Sequence, residues 1–222
     1  MKKQILILSL IFLGTQTQGY SAVSIGKTLE LKGKVEELKY FRNAQSGPLK
    51  PDQPLYYNDE IVTGSHSTTR LGVDDFTANI KAGFYVYEDS KFTLDKEIIE
   101  ATGKKIRVRH TQGKLNSLVK GLQKSDEIQI ETPHGTVGVR GTCVQTDLTT
   151  PGTVKIAADS PVTFNGVSLS PSGTTEFTAG GGKKVRVESI LDKEQCDRNR
   201  KALDVFPEGG SLPLPSASAN CP

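Results

Sequence analysis

Within ten residues, His134 to Cys143 brings together an imidazole, a guanidinium (Arg140) and a thiol. A cysteine nucleophile needs a base to take its proton and surroundings that favour the thiolate. The chain has only three histidines, His66, His110 and His134, and none sits at a spacing that defines such a site. Cys143 therefore reads more readily as a disulfide partner or an inert thiol. The same stretch carries Gly135, Gly138 and Gly141 at intervals of three. A phosphate-cradling loop needs a lysine that reaches the phosphates and a helix opening behind it. Neither is present, so the glycines read as backbone that passes close to other backbone, or takes positive φ, inside a packed β structure. Arg140, between Val139 and Gly141, is expected to bury its stem and bond its head, as a structural arginine does.

The other candidates are weaker. No His/Cys spacing supports zinc. Asp74, Asp75 and Asp89 lack the ligand spacing of a calcium loop and read as a solvated hairpin. No cofactor or metal is implied. Lys104, Lys105, Arg107, Arg109 and His110, with Lys114, Lys120 and Lys124, form the strongest local charge feature. Of these, Lys105, Arg107 and Arg109 fall on one side of an alternating run and make a candidate binding face for an anionic glycan, a lipid headgroup or an acidic protein. An ordinary solvated strand face is the competing reading, and the stronger one.

These residues sit in strand-like segments. Ile128 and Ile130 alternate with Gln129 and Glu131, the period-2 pattern of a half-buried strand. Pro133 cannot donate to a ladder, so that strand breaks or turns at Thr132-Pro133. Ile106 and Val108 alternate with the basic residues, which predicts an inward apolar face. Strand segments are also expected around Leu29–Val35 (one or two strands with a bend at Gly33), Thr68–Val73, Phe84–Tyr87, Lys91–Leu94, Thr153–Ala157, Val162–Phe164, Val167–Leu169, Glu176–Thr178 and Lys184–Val187. A strand or one helical turn is expected at Leu115–Leu122. The spacings leave no room for crossover helices. The expected fold is all-β: a glycine-punctuated β-sandwich or β-solenoid-like domain of short strands. Glu188 to Leu203 is the one plausible helix, followed by a tail rich in Pro, Gly, Ser and Ala that is expected to be disordered.

The N-terminus reads Lys2-Lys3, then a short apolar run, then small and polar residues up to Ala22. This is the pattern of a secretory signal peptide, so residues 1–22 are expected to be removed. The chain has 222 residues and a formal charge of +3; the two leader lysines account for two charges, leaving +1, which gives no global attraction to nucleic acid. Export implies an oxidising compartment, periplasmic or extracellular, with no transmembrane anchor in the remaining sequence. Cys143, Cys196 and Cys221 make an odd set. Cys196–Cys221 is favoured because both lie in one segment, while Cys143 pairing with either remains the alternative.

The run Ile130-x-Thr132-Pro133 with Val139-Arg140-Gly141-Thr142 resembles the signature of the FecR domain family. A second family pattern, L-x-x-G-D-x-I-x-T-G-x-x-S, is matched by Leu55, Asp59, Ile61, Thr63, Gly64 and Ser67, with Asn58 where glycine is usual. Asn tolerates left-handed backbone, so a turn there survives the change. Asp74-Asp75-Phe76 departs from the family's usual Asp-Gly-Ser. The resemblance covers residues 55–147 most closely, inside a β domain spanning 23–187, with 188–222 as helix and tail. It implies a bacterial, exported, non-catalytic β domain that binds another envelope protein in sensing or regulation. The alternative is a glycan- or peptidoglycan-binding module using Lys105, Arg107 and Arg109.

Overall fold

The computed structural model describes residues 24–43, 45–75, 80–100, 103–120, 122, 127–170, 175–179, 183–188 and 192–204. The expected leader, the tail with Cys221 and residues 189–191 of the expected helix lie outside them; Glu188, expected to open that helix, instead ends a strand, and the helix starts at Lys193.

Among the described residues, eighteen strands, one 3-10 turn (Val35–Glu37, between the first two strands) and one α-helix follow in order. The first are β1 (Gly26–Lys32), β2 (Leu38–Arg42), β3 (Gln45–Pro48), β4 (Pro54–Leu55), β5 (Glu60–Thr63) and β6 (Thr68–Asp75). The middle strands are β7 (Ile80–Val86), β8 (Lys91–Glu100), β9 (Gly103–Gln112), β10 (Lys114–Lys120), β11 (Glu127–Thr132) and β12 (Gly135–Val139). The last are β13 (Cys143–Asp147), β14 (Thr153–Ala158), β15 (Val162–Phe164), β16 (Val167–Leu169), β17 (Thr175–Ala179) and β18 (Lys183–Glu188), before helix α1 (Lys193–Leu203).

The strands form two nine-stranded sheets. Sheet A has the order β17-β18-β14-β13-β10-β7-β6-β1-β4, and sheet B the order β16-β15-β12-β11-β9-β8-β5-β2-β3. The chain passes back and forth between the sheets, so both grow from one end to the other as the sequence advances. Most neighbours are antiparallel. β9 and β11 are parallel because the chain leaves sheet B for β10 in sheet A and then returns. The fold is thus all-β, a sandwich in layering and solenoid-like in its progression.

Alternation explains the layering. In β9, Ile106, Val108 and His110 are buried while Arg107 and Arg109 point outward. In β10, Leu115, Ser117 and Val119 face the partner sheet, and Asn116 and Leu118 face the other way. The inner faces meet in one core, with Phe84 of β7 and Phe92 of β8 at a ring-centroid distance of 4.9 Å. Of Leu115–Leu122, residues up to Lys120 form a strand, β10, and Leu122 lies beyond it.

The chain crosses between sheets at short, polar turns, and these turns stack. The Gly64 amide donates to Glu37 O at 2.9 Å, the Asp89 amide to Gly64 O at 3.2 Å, and the Leu148 amide to Gly113 O at 2.7 Å. Ser90 Oγ accepts the Lys114 amide at 2.9 Å. Bends that would otherwise leave backbone groups unpaired thus satisfy one another.

Just before β5, Asn58 adopts φ 69°, as expected for a residue standing where glycine is usual. Asn58→Gly is expected to keep stability within about 0.5 kcal/mol, whereas Asn58→Val should cost about 1–2 kcal/mol, because a β-branched side chain resists left-handed backbone. Urea unfolding of the two variants checks this.

Candidate functional site

The signature residues converge on turns and crossings. Thr132-Pro133 forms the hairpin between β11 and β12: Thr132 Oγ1 accepts the His134 amide at 3.2 Å and donates to Gly135 O at 2.8 Å. Val139 is buried in the core. A Cβ on Gly138 would press against Thr163 Oγ1 and the Glu127 carboxylate, so any larger residue there must displace those side chains. Arg140, Gly141 and Thr142 carry the chain from sheet B to sheet A, with Gly141 at φ 67°. Thr142, 3 % exposed, bonds Asp159 through its hydroxyl, and Asp159 also accepts the Cys143 amide at 3.2 Å.

Arg140 differs in part from expectation. Its head is bonded, with Nε and Nη2 donating to Glu127 Oε2 at 3.3 and 3.1 Å, but its side chain is 61 % exposed. Val137 and Val139 take the inward positions of β12, so period-2 alternation sends Arg140 outward.

The second signature behaves alike. Thr63 is buried; its hydroxyl donates to Tyr87 O at 2.5 Å and accepts the Ser90 amide at 3.0 Å, joining the crossing after β5 to the crossing after β7. Gly64 lies against Glu37, where a Cβ would sit 2.8 Å from the glutamate's own Cβ. Asp59 is fully buried, accepts the Tyr56 amide at 2.9 Å and receives a two-pronged contact from Arg42 at 2.6 Å on each oxygen. The Arg42 guanidinium also lies 4.0 Å from the Tyr56 ring centroid. Bonding to Asp59 raises the Arg42 pKa further. Arg42 carries no sequence signal; it lies 17 residues from its partner.

The candidate basic face is largely neutralised. Arg107 lies 2.9 Å from Glu131 and Arg109 3.1 Å from Asp95, each across to a neighbouring strand. Lys91–Glu60 and Arg140–Glu127 continue the same outer face of sheet B. The side chain of Lys105 lies outside the described residues. The acids come from β5, β8 and β11, which a single-strand reading of β9 does not see.

The disulfide corrects the favoured pairing: Cys143 of β13 is bonded to Cys196 of α1, 53 residues apart. Sequence proximity misleads here because α1 folds back onto the outer face of sheet A, against β7, β10 and β6. The bond lies in a small second core with Leu118 and Leu203, and Leu29 packs against it. Cys143 has no free thiol to act as a nucleophile.

Around that core the interface is polar. Arg70, 3 % exposed, bonds Glu30 at 3.1 Å, Gln195 at 2.8 Å and Asn199, and its guanidinium lies 4.8 Å from the Tyr85 ring centroid. Asn199 donates to Asn116 Oδ1 at 2.9 Å. Asp192 caps the helix by accepting the Gln195 amide at 3.1 Å and takes the Tyr87 hydroxyl at 2.7 Å. Burial, and then the Asp192 carboxylate, raise the Tyr87 pKa. Beside the helix runs an open groove of about 520 Å³, walled by Lys27 and Leu29 of β1 and by Arg198 and Lys201 of α1. Sequence reading missed Arg70, Asn116 and the groove because their parts lie more than eighty residues apart in the chain.

The histidines do not converge. His110 is wholly buried, His66 is exposed beside Glu88, and His134 sits in the β11–β12 turn. Among the described residues no three His, Cys, Asp or Glu side chains cluster as metal ligands would. Compared with known proteins, the chain matches no family model, no curated protein and no solved structure.

Proposed function

We propose that this chain is an exported, FecR-like, non-catalytic module that binds another protein of the bacterial envelope. The observation that carries the reading is the placement of both signature stretches at turns: the crossing after β5, the β11–β12 hairpin within sheet B, and the crossing from β12 to β13. There Thr63, Gly64, Thr132 and Thr142 are committed to backbone and side-chain bonds that hold the turns. A signature of this kind specifies a scaffold, and the scaffold's surfaces remain for recognition. The leader-like N-terminus and a buried disulfide both suit an oxidising compartment. Pairing of Arg107 and Arg109 with acids weighs against the alternative, a peptidoglycan or anionic-glycan binder.

The test is capture of envelope components by the processed protein at low and high salt, alongside the K105E/R107E/R109E variant. One protein retained by wild type and variant alike is expected. Retention on isolated wall material that disappears in salt and in the variant would replace this function with glycan binding.

A further inference from the structure

We infer that the groove between α1 and β1 docks an extended, acidic segment of a partner protein, which pairs with the free edge of β1. This rests on the interaction-module reading and assigns it a surface.

The edge comes first. β4 covers only Gly26 and Lys27 of β1. Beyond them, the Thr28 amide donates to Gln53 O at 3.0 Å and Thr28 O accepts the Asp52 amide at 3.1 Å. From Leu29 to Lys32, no strand among the described residues pairs with β1 on that side. The outermost strands here carry prolines, Pro48 in β3 and Pro54 in β4, which remove donors and discourage pairing. Leu29–Lys32 has no such guard.

The groove makes that edge a recognition site. The ladder with β6 shifts register between Thr28 and Glu30, and Lys27, Leu29 and Glu30 all line the groove. Leu29 offers apolar surface to a side chain of an added strand. The lining holds four cations (Lys27, Arg70, Arg198 and Lys201) against two acids, Glu30 and Asp52. Lys27 pairs with Asp52, Arg70 with Glu30, and Arg198 with Glu194. Lys201 has no acidic partner among the described residues. A carboxylate entering the groove meets Lys201 directly, at the end where α1 faces β1. Strand addition supplies main-chain bonds, and the charged wall supplies selectivity for acidic sequences.

The probe is a fluorescent seven-residue peptide, acetyl-Glu-Val-Glu-Val-Thr-Val-Glu, followed by anisotropy on the full processed chain at low ionic strength. Its comparators are a twin with Lys for each Glu and a twin N-methylated at alternate residues. Saturable binding of the acidic peptide is expected, with at least tenfold weaker binding for both twins and for the R198E/K201E variant. Both substituted side chains are exposed, and a thermal melt checks that the variant remains folded. No binding, equal binding of either twin, or binding unchanged in R198E/K201E overturns the proposal. A photocrosslinker placed at Ala202, or at Phe41 on sheet B, separates this proposal from the reading beneath it. Crosslinking at Ala202 to a protein that the acidic peptide displaces supports the groove. Crosslinking from Phe41 alone overturns the groove and keeps the interaction module; crosslinking from neither sinks both.

Discussion

A C143S/C196S chain should unfold about 4 kcal/mol more easily than the oxidised parent. Closing a loop with a sequence separation of 53 removes that order of conformational entropy from the unfolded chain. For a chain of this size the melting temperature should fall by about 10 °C. The loss should be concentrated in α1. The helix has 11 residues, too few to persist alone, and among the described residues the apolar cluster that holds it is small: its own Leu203 and Cys196 with Leu118, Cys143 and Leu29. The main core between the sheets is separate and should remain. In hydrogen exchange, α1 amides should therefore lose protection in the variant while those of β7, β9 and β11 keep theirs. Cys143 and Cys196 are 0 % and 4 % exposed, so dithiothreitol should reduce the parent slowly in buffer and quickly in denaturant. A variant that melts with the parent would show that the bond contributes nothing.

Stability should also fall in mild acid because of His110. Its Nδ1 lies 2.8 Å from Thr146 Oγ1 on the facing sheet, and its ring is sealed in the core. Burial lowers its pKa from 6.5 to about 4, opposed by hydrogen bonding of the ring to the Gln112 backbone as acceptor and by the charge of Asp147. The folded state thus holds the ring neutral while the unfolded chain takes up a proton below pH 6.5. Between pH 6.5 and about 4 the unfolded state binds more protons, so stability declines as pH falls. The full contribution is present above pH 6.5, and about 3 kcal/mol is lost by the time the folded ring titrates near pH 4. H110Q should be less stable than the parent at pH 7 yet show a shallower decline in acid. Urea unfolding of both chains from pH 7.5 to 4.5 measures the difference in slope. Parallel curves would mean that His110 titrates normally.

Much of the fold is legible in the sequence because strand alternation is local. Ile106 and Val108 against Arg107 and Arg109, and Ile128 and Ile130 against Gln129 and Glu131, state which side faces the core, and the buried positions follow. The turns are legible for the same reason. Asn58, Thr132-Pro133 and Gly141 have backbone requirements set by their own residue types, and they turn where expected. Arg140 shows the limit: bonding of its head could be inferred from its type, but its exposure depended on which face of β12 the valines took.

The helix was visible as a charged segment, but its place was not. Only the folded chain sets α1 on sheet A, and that decides which cysteines pair, where Arg70 finds Gln195 and Asn199, and that a groove exists beside β1. The acids that neutralise Arg107 and Arg109 also come from other strands. The sequence by itself thus determined the all-β class, several turns and the inward faces of strands such as β9 and β11, because these depend on neighbours within a few residues. Tertiary structure alone decided the disulfide, the ion pairs and the groove, because each needs groups that meet only when distant strands and the helix pack together.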